Sequence, residues 1–431
     1  MSNNAIYHAA TPCDDASAQA AQRWPDVAAV PTGIAARTRG RAAALLFRRA
    51  ARRVDVRVEY PDGSLIASGA GEVPPRMIIR RPGPFARRVG ATGLIGFGEA
   101  YMAGDWTTDD LVGVLTPFAR EAAALVPGPL QVLRRLLLPR QLDDEENTTV
   151  NTRANVARHY DLSNDLFAAF LDETMSYSSA VFETEPASDT RFAWGDLAAA
   201  QRRKIDRLLD LAGVGPGTRL LEIGTGWGEL CLRAAERGAT VQSVTLSVEQ
   251  RDLARRRIED AGLSDRVTID LRDYREVGGE YDAIVSVEMI EAVGRAYWPA
   301  YFECIDRLLA PGGRVAVQAI TMPHDRLLAS EKTRTWVQKY IFPGGQLTSL
   351  EGIGDVVRER TSLRVTGTSS YGMHYAETLR LWRERFDARE EDVLALGFDR
   401  TFVRMWDLYL AYSEAGFRAG YLDVVQLGFS R

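Results

Sequence analysis

Residues 219–228 read RLLEIGTGWG. An apolar run, Arg219–Ile223, carries one acid and stops at three glycines spaced two apart, Gly224, Gly226 and Gly228. A helical pattern follows from Glu229 to about Arg237. Strand, tight glycine turn and helix form the arrangement that lets backbone approach a nucleotide-like ligand. The spacing narrows the ligand. A dinucleotide fingerprint needs a small residue five positions after the first glycine, and Glu229 stands there. The second strand ends Val244-Thr245-Leu246-Ser247, without the acid that would hold a nicotinamide cofactor's ribose. An NAD(P)-dependent oxidoreductase is therefore disfavoured.

The pattern around this turn is βαβ. Strands are predicted at Arg219–Ile223, Val241–Leu246, Val267–Leu271, Tyr281–Val287, Arg314–Ile320, Leu363–Thr368 and Val424–Ser430. Helical patterns at Glu229–Arg237, Val248–Ala261 and Tyr297–Leu309 separate the early ones. The expected fold class is α/β, a seven-stranded doubly wound sheet with its ligand at the strand C-termini. Two aromatic-rich helical blocks, roughly 324–360 and 375–418, are expected to cover it and to wall an apolar pocket. They carry Trp336, Tyr340, Phe342, Trp382, Phe386, Phe402, Trp406, Tyr409, Tyr412 and Phe417.

The 431 residues suit two or three domains. Residues 1–33 are expected to be disordered and 34–127 to form a small basic α+β domain. Residues 128–150 read as a linker, and 151–431 as the main domain. The three cysteines, Cys13, Cys231 and Cys304, are odd in number and widely spaced, and only four histidines are present. Neither a disulfide framework nor a zinc site is expected, so no metal is assigned. The N-terminus lacks a basic then apolar leader, and no apolar run reaches 18 residues. A cytoplasmic protein, peripherally associated with the inner face of the membrane, is the expectation. Residues 37–88 hold thirteen arginines against four acids, within a chain of net charge −5. A basic module on an acidic chain points to an anionic surface, such as lipid headgroups.

Beyond the glycine turn, the chain reads HYDLSNDLF (159–167), MSYSS (175–179), VTLSVEQ (244–250), SVEMIEAVG (286–294) and KYIFPG (339–344). These motifs, with GFGEAYMAGDW (96–106) and Tyr409–Arg418, resemble the cyclopropane-fatty-acyl-phospholipid synthase and mycolic acid methyltransferase family, over about residues 85–430. Runs 161–174, 222–230, 287–294 and 316–322 look like the actinobacterial branch that makes 10-methylene-stearoyl lipids. The resemblance implies a Rossmann-like S-adenosylmethionine (SAM) methyltransferase sheet with a helical lipid-binding cover. It implies SAM as methyl donor and a cis-unsaturated phospholipid acyl chain as substrate. A separate reductase would saturate the methylene product. Nucleic acid is not an expected partner, and the oligomeric state, a homodimer included, stays open.

Carried over residue by residue, SAM would meet Tyr177, Ser178, Glu222, Gly224, Gly226, Gly228, Thr245, Leu246 and Gln250, with Arg272 and Asp273 on an adenine loop. The family's bicarbonate cluster maps to Ser179 (backbone), Glu291, Gln318, Ile320 (backbone) and Tyr375, the expected catalytic set. Glu288, near the same strand end, is an alternative carboxylate. His159 is read as a structural hydrogen-bonding residue. Three positions depart from the family pattern: Ser179 where Cys is common, Gln318 where a cyclopropane synthase has His, and Ala292 where His usually follows the acid.

The departures bear on product. An alkene needs no base to activate it; it needs the methyl group held in line in a dry site. Attack leaves a carbocation, and the position of a base decides its fate. Proton loss before rearrangement closes a cyclopropane. A hydride shift followed by loss of a methyl proton gives an exocyclic methylene. Replacement of His at position 318 favours the methylene route, with cyclopropane synthesis as the alternative. A nucleic-acid-binding protein with a degenerate methyltransferase fold is the reading from another class, and the intact glycine turn argues against it.

Overall fold

The structure is a computed structural model that describes residues 22–67, 74–121, 163–186, 191–330 and 333–431. The chain divides into two compact units, Met1–Val114 with Gly397–Leu408, and Leu115–Leu396 with Tyr409–Arg431.

In the second unit, seven strands form one sheet: β5 (Arg219–Ile223), β6 (Thr240–Thr245), β7 (Val267–Leu271), β8 (Tyr281–Val287), β9 (Leu309–Thr321), β10 (Arg364–Ser370) and β11 (Asp423–Ser430). Their order is β10-β11-β9-β8-β5-β6-β7. The five from β9 to β7 pair in parallel, and β11 runs antiparallel to both its neighbours. Alternate residues point to opposite faces of a strand, which splits the core in two. Leu221, Ile223, Ile284, Val315 and Val317 pack with Trp298, Tyr301, Phe302, Ile305 and Leu308 of helix Trp298–Leu308. Leu220, Val241, Ala283, Val285 and Ala316 pack on the other face, with Leu208, Leu209, Leu230, Ala234 and Ile258 from three helices. Each fully buried leucine contributes about 1.5–3 kcal/mol over its exposed state. The expected seven-stranded doubly wound sheet is present. β9 starts five residues earlier than predicted, because 309–313 also join the strand.

The other unit holds the basic segment. Helix Gly33–Ala51 precedes a four-stranded sheet. Its strands are β1 (Arg57–Glu59), β2 (Leu65–Ile66), β3 (Arg76–Ile79) and β4 (Trp106–Thr107), in the order β2-β1-β3-β4. Helices Pro82–Thr92 and Leu94–Met102 connect β3 to β4. Two expectations give way here. Residues 22–33 are ordered: Trp24 Nε1 donates to Asp399 Oδ2 at 2.8 Å, and helix Pro25–Ala28 is fastened by Arg88. That buried guanidinium donates to the carbonyls of Asp26, Val27 and Ala29 and to Asp105. Arg88 is thus a structural cation, not part of a basic surface. Second, residues 397–408, expected in the main domain, complete this unit. Phe402 stacks between Phe398 and Trp406, and Arg404 lies 4.2 Å over the Tyr101 ring. The expected linker 128–150 and His159 lie outside the described residues.

Candidate functional site

The C-terminal ends of β5, β6 and β8 open into a cleft. Ten of the eleven residues expected to meet SAM line it: Tyr177, Ser178, Glu222, Gly224, Gly226, Thr245, Leu246, Gln250, Arg272 and Asp273. The turn after β5 is left-handed at all three glycines, with φ of 100°, 51° and 90°. Gly224 must be glycine for a second reason. A Cβ there would fall 2.5 Å from Met289 Cγ, in the wall of the cleft. Gly228 is the exception to the expected set. It caps helix Glu229–Glu236 and faces Ala254, whose Cβ would lie 3.0 Å from an added Cβ. Its role is close helix packing.

Side chains of the cleft hold one another. Thr245 Oγ1 donates to Gln250 Oε1 at 3.0 Å, at the end of β6 where an acid is missing. Glu222 Oε2 accepts from Ser243 Oγ at 2.6 Å and from the Cys231 thiol at 2.7 Å. Burial pushes the Glu222 carboxyl up to about 7. Asp273 caps the short helix Tyr274–Glu276 and forms a two-point ion pair with Arg275, which holds its carboxyl below the ordinary range. The loop carrying Tyr177 and Ser178 is tied to helix Leu197–Leu211. Gln201 Nε2 donates to the Ser178 carbonyl at 2.8 Å, and Lys204 Nζ to Ser178 Oγ at 2.6 Å. Lys204 is buried and lines the cleft; burial lowers its ammonium to about 8, against the pull of Glu288, Asp172, Glu229 and Glu222. Tyr177 OH lies 2.8 Å from Tyr409 OH, and its ring is 5.3 Å from Trp382.

Beside the cleft, the expected catalytic set is present but arranged around a different acid. Ser179 N donates to Glu288 Oε1 at 2.9 Å, Gln318 Nε2 to the same oxygen at 2.8 Å, and Tyr375 OH to Oε2 at 2.8 Å. Glu291, the acid expected there, accepts instead from Ile320 N at 2.5 Å, and its Oε2 is buried without a hydrogen bond. Backbone geometry makes the difference. Glu288 directly follows β8 with φ 50°, and Glu288 N donates to the Gln318 carbonyl at 2.8 Å. This left-handed step costs a non-glycine residue of order 1–3 kcal/mol.

The orientation of the Gln318 amide is set from behind. Gln426 Nε2, on β11, donates to Gln318 Oε1 at 3.0 Å, so the Gln318 amide nitrogen faces Glu288. Burial raises the Glu288 carboxyl, with its three donors and Lys204 opposing. Burial and the Glu288 charge push Glu291 up to about 8. Burial and the same carboxylate raise the Tyr375 hydroxyl, keeping it a donor. Of Glu288, Glu291, Gln318 and Tyr375, only Glu288 also lines the cleft.

The donor set does not fit bicarbonate. Ser179 N, Gln318 and Tyr375 are engaged by Glu288, and Ile320 N by Glu291. An added anion would displace a tethered carboxylate and lie against two acids.

Residues 147–427 match the mycolic acid cyclopropane synthetase family. The chain belongs to that family. It is 56% identical over 405 residues to tuberculostearic acid methyltransferase UfaA1 of Mycobacterium tuberculosis, covering 94% of both chains. It is 33% identical to the cyclopropane-fatty-acyl-phospholipid synthase of Escherichia coli, over 84% of this chain and 89% of that one. Among solved structures, the mycolic acid cyclopropane synthase CmaA1 complexed with SAH and CTAB superposes with a TM-score of 0.58 at 31% identity, over 65% of this chain and 98% of that one. The fold of this family member is the SAM-methyltransferase fold.

Sequence reasoning missed Lys204 and Gln201 altogether. Their signal was available: Leu197, Gln201, Lys204, Ile205 and Leu208 share one helical stripe, so a lysine and an amide stand on the buried face.

Proposed function

We propose that this chain methylates the cis double bond of an oleoyl chain in a phospholipid and releases a 10-methylene-stearoyl chain. Family and fold make it a SAM-dependent methyltransferase acting on fatty-acyl chains. The regiochemistry rests on one observation: a buried acid cluster adjoins the cleft, with glutamine at position 318. Support comes also from the 56% identical relative named for tuberculostearic acid.

SAM, when bound, supplies an electrophilic methyl group. The glycine turn and the Tyr177–Ser178 loop orient it. Tyr177, which lines the cleft and meets Tyr409 OH at 2.8 Å, offers an aromatic face to a cationic chain. After methyl transfer to C10, a hydride shift from C10 to C9 places the cation on the methyl-bearing carbon. Loss of a methyl proton to the acid cluster then forms the exocyclic double bond. A separate reductase would be needed to saturate it. Lipids from a host expressing the chain test this, because ring and methylene products have equal mass. Ozonolysis should cleave the product at C10 and release a one-carbon fragment. A cyclopropane ring as sole product overturns the reading.

Substrate lies in membranes, and we place the docking face on helix Gly33–Ala51. Ile34, Arg37, Arg41, Leu45 and Arg49 fall on one side of it. Ile34 and Leu45 are 83% and 71% exposed, and the three arginines are exposed with them. Each arginine near an anionic surface contributes about 1 kcal/mol. Among the described residues, no helix is long and apolar enough to cross a membrane. Flotation with anionic liposomes should weaken with salt and with Arg41→Glu; binding indifferent to lipid charge and salt counts against this face.

A further inference from the structure

The five positions equivalent to the family's bicarbonate cluster provide four donors and one acid. All four donors end on carboxylates of the chain itself, three of them on Glu288. We propose that Glu288 is the catalytic base of this enzyme: its side chain fills the anion site, removes the methyl proton, and frees the reaction from added bicarbonate. The proposal rests on the methyl-transfer reading above and names its base.

Four observations carry it. The first is position. Glu288 belongs both to the acid cluster and to the lining of the cleft, where the reacting methyl must be, whereas Glu291, Gln318 and Tyr375 do not line the cleft. The second is orientation. Ser179 N and Gln318 Nε2 fix one oxygen, Tyr375 OH fixes the other, and Gln426 locks the Gln318 amide in the donating sense. The third is protonation. Glu288 receives three hydrogen bonds and faces Lys204. Glu291 receives one and has an oxygen with none. Two adjacent carboxyls in a buried site share a proton unequally, and the one with more hydrogen-bond donors keeps the charge. The proton therefore sits on Glu291, and Glu288 is the ionised member, able to accept. The fourth is backbone strain. A non-glycine residue at φ 50° at the end of a catalytic strand is a conformation that the surroundings must impose.

The step balances. The alkene π pair bonds to the methyl carbon as the methyl–sulfur bond breaks. A hydride then migrates between the two former alkene carbons. One methyl C–H bond breaks, its electron pair becomes the exocyclic C=C bond, and its proton goes to the Glu288 carboxylate. Glu288 afterwards releases that proton through the cleft.

The test compares wild type, Glu288→Gln and Glu288→Gly in CO2-free buffer with and without added bicarbonate. Oleoyl phospholipid vesicles are the substrate, and methylene product and S-adenosylhomocysteine are counted. Glycine suits the left-handed backbone, and SAM titration verifies that both variants keep the cleft. Wild type should run at the same rate in both buffers, within about twofold. Glu288→Gln should fall by about 10²–10⁴-fold, the usual contribution of a positioned base. Glu288→Gly should fall similarly and regain at least about tenfold with bicarbonate or formate, as expected of an ionised base supplied from solution. Carbon-13 bicarbonate should bind Glu288→Gly and not wild type. A wild-type rate that collapses without bicarbonate, bicarbonate binding to wild type, or a Glu288→Gln enzyme retaining more than about a tenth of the rate overturns the proposal. So does a Glu288→Gly enzyme that neither anion restores. A wild type that methylates nothing in either buffer sinks the methyl-transfer reading instead, and the binding arm still decides the anion site.

Discussion

Replacing Gln318 by methionine should move the acidic limb of the pH–rate profile. Gln318 Nε2 donates to Glu288 Oε1 at 2.8 Å, and a hydrogen bond to an ionised group contributes about 1.5–3 kcal/mol. Methionine has similar length and no donor, so the charged form of Glu288 loses that support while Ser179 N and Tyr375 OH remain. At 1.36 kcal/mol per unit, the Glu288 carboxyl rises by about 1–2 pKa units. A base must be ionised to act. The acidic limb of kcat for methylene formation therefore shifts to higher pH by about 1–2 units, while the rate on the alkaline side of both limbs changes little. Histidine at 318 keeps one N–H for Glu288 and a ring nitrogen for Gln426, so its shift should be smaller. A stability control separates positioning from folding. Gln318→Met strips Gln426 Nε2 of its 3.0 Å acceptor, costing about 1–3 kcal/mol of stability. Adding Gln426→Leu should restore the melting temperature without restoring the limb. An acidic limb that stays within about 0.3 units of wild type, with SAM binding intact, refutes the reasoning.

The last two glycines of the turn should separate binding from packing. Gly226→Ala places a methyl in open cleft space and should raise the SAM KM at least about tenfold with a modest melting change, whereas Gly228→Ala meets Ala254 and should cost about 1–3 kcal/mol with a smaller KM effect. Equal KM changes in both would contradict the assignment of Gly228 to packing. Glu291, whose carboxyl is raised from its ordinary 4.5 to about 8 in the fold, contributes stability that is complete below pH 4.5 and lost as pH rises through 8. The melting advantage of Glu291→Gln over wild type should thus grow between pH 5 and pH 8.5, and a constant difference would argue against a buried, protonated acid. Arg88→Met leaves buried Asp105 short of a partner and should unfold the smaller unit by 3 kcal/mol or so, whereas Arg41→Glu should leave melting unchanged. Equal melting behaviour of the two would contradict the split between structural and surface arginines.

Much of the second unit was legible because its signals are local. β5, β7 and β8 start and stop where the apolar runs do, since each run is bounded by a glycine turn or a charged loop. The predicted end of β8 was enough to put Glu288 and Glu291 in one neighbourhood. Which acid meets Ser179, Gln318 and Tyr375 depends on a left-handed dihedral at 288 and on pairings 30 to 109 residues away. No periodicity encodes either. The reassignment of Gly397–Leu408 has the same origin: the Tyr101–Asp407 hydrogen bond spans 306 residues. Thirteen arginines suggested one basic surface, but charge counting cannot tell an exposed arginine from Arg88, which caps three carbonyls in the interior.

The dihedral at position 288 has a genetic consequence. Its φ of 50° is a conformation in which glycine is at ease and glutamate is not. Glycine codons differ from glutamate codons at one base. A single nucleotide change would thus relax the backbone and, on the proposal above, empty the anion site together, leaving Ser179, Gln318 and Tyr375 as an open donor set. Dependence on dissolved carbon dioxide and freedom from it would then be adjacent states in mutational space.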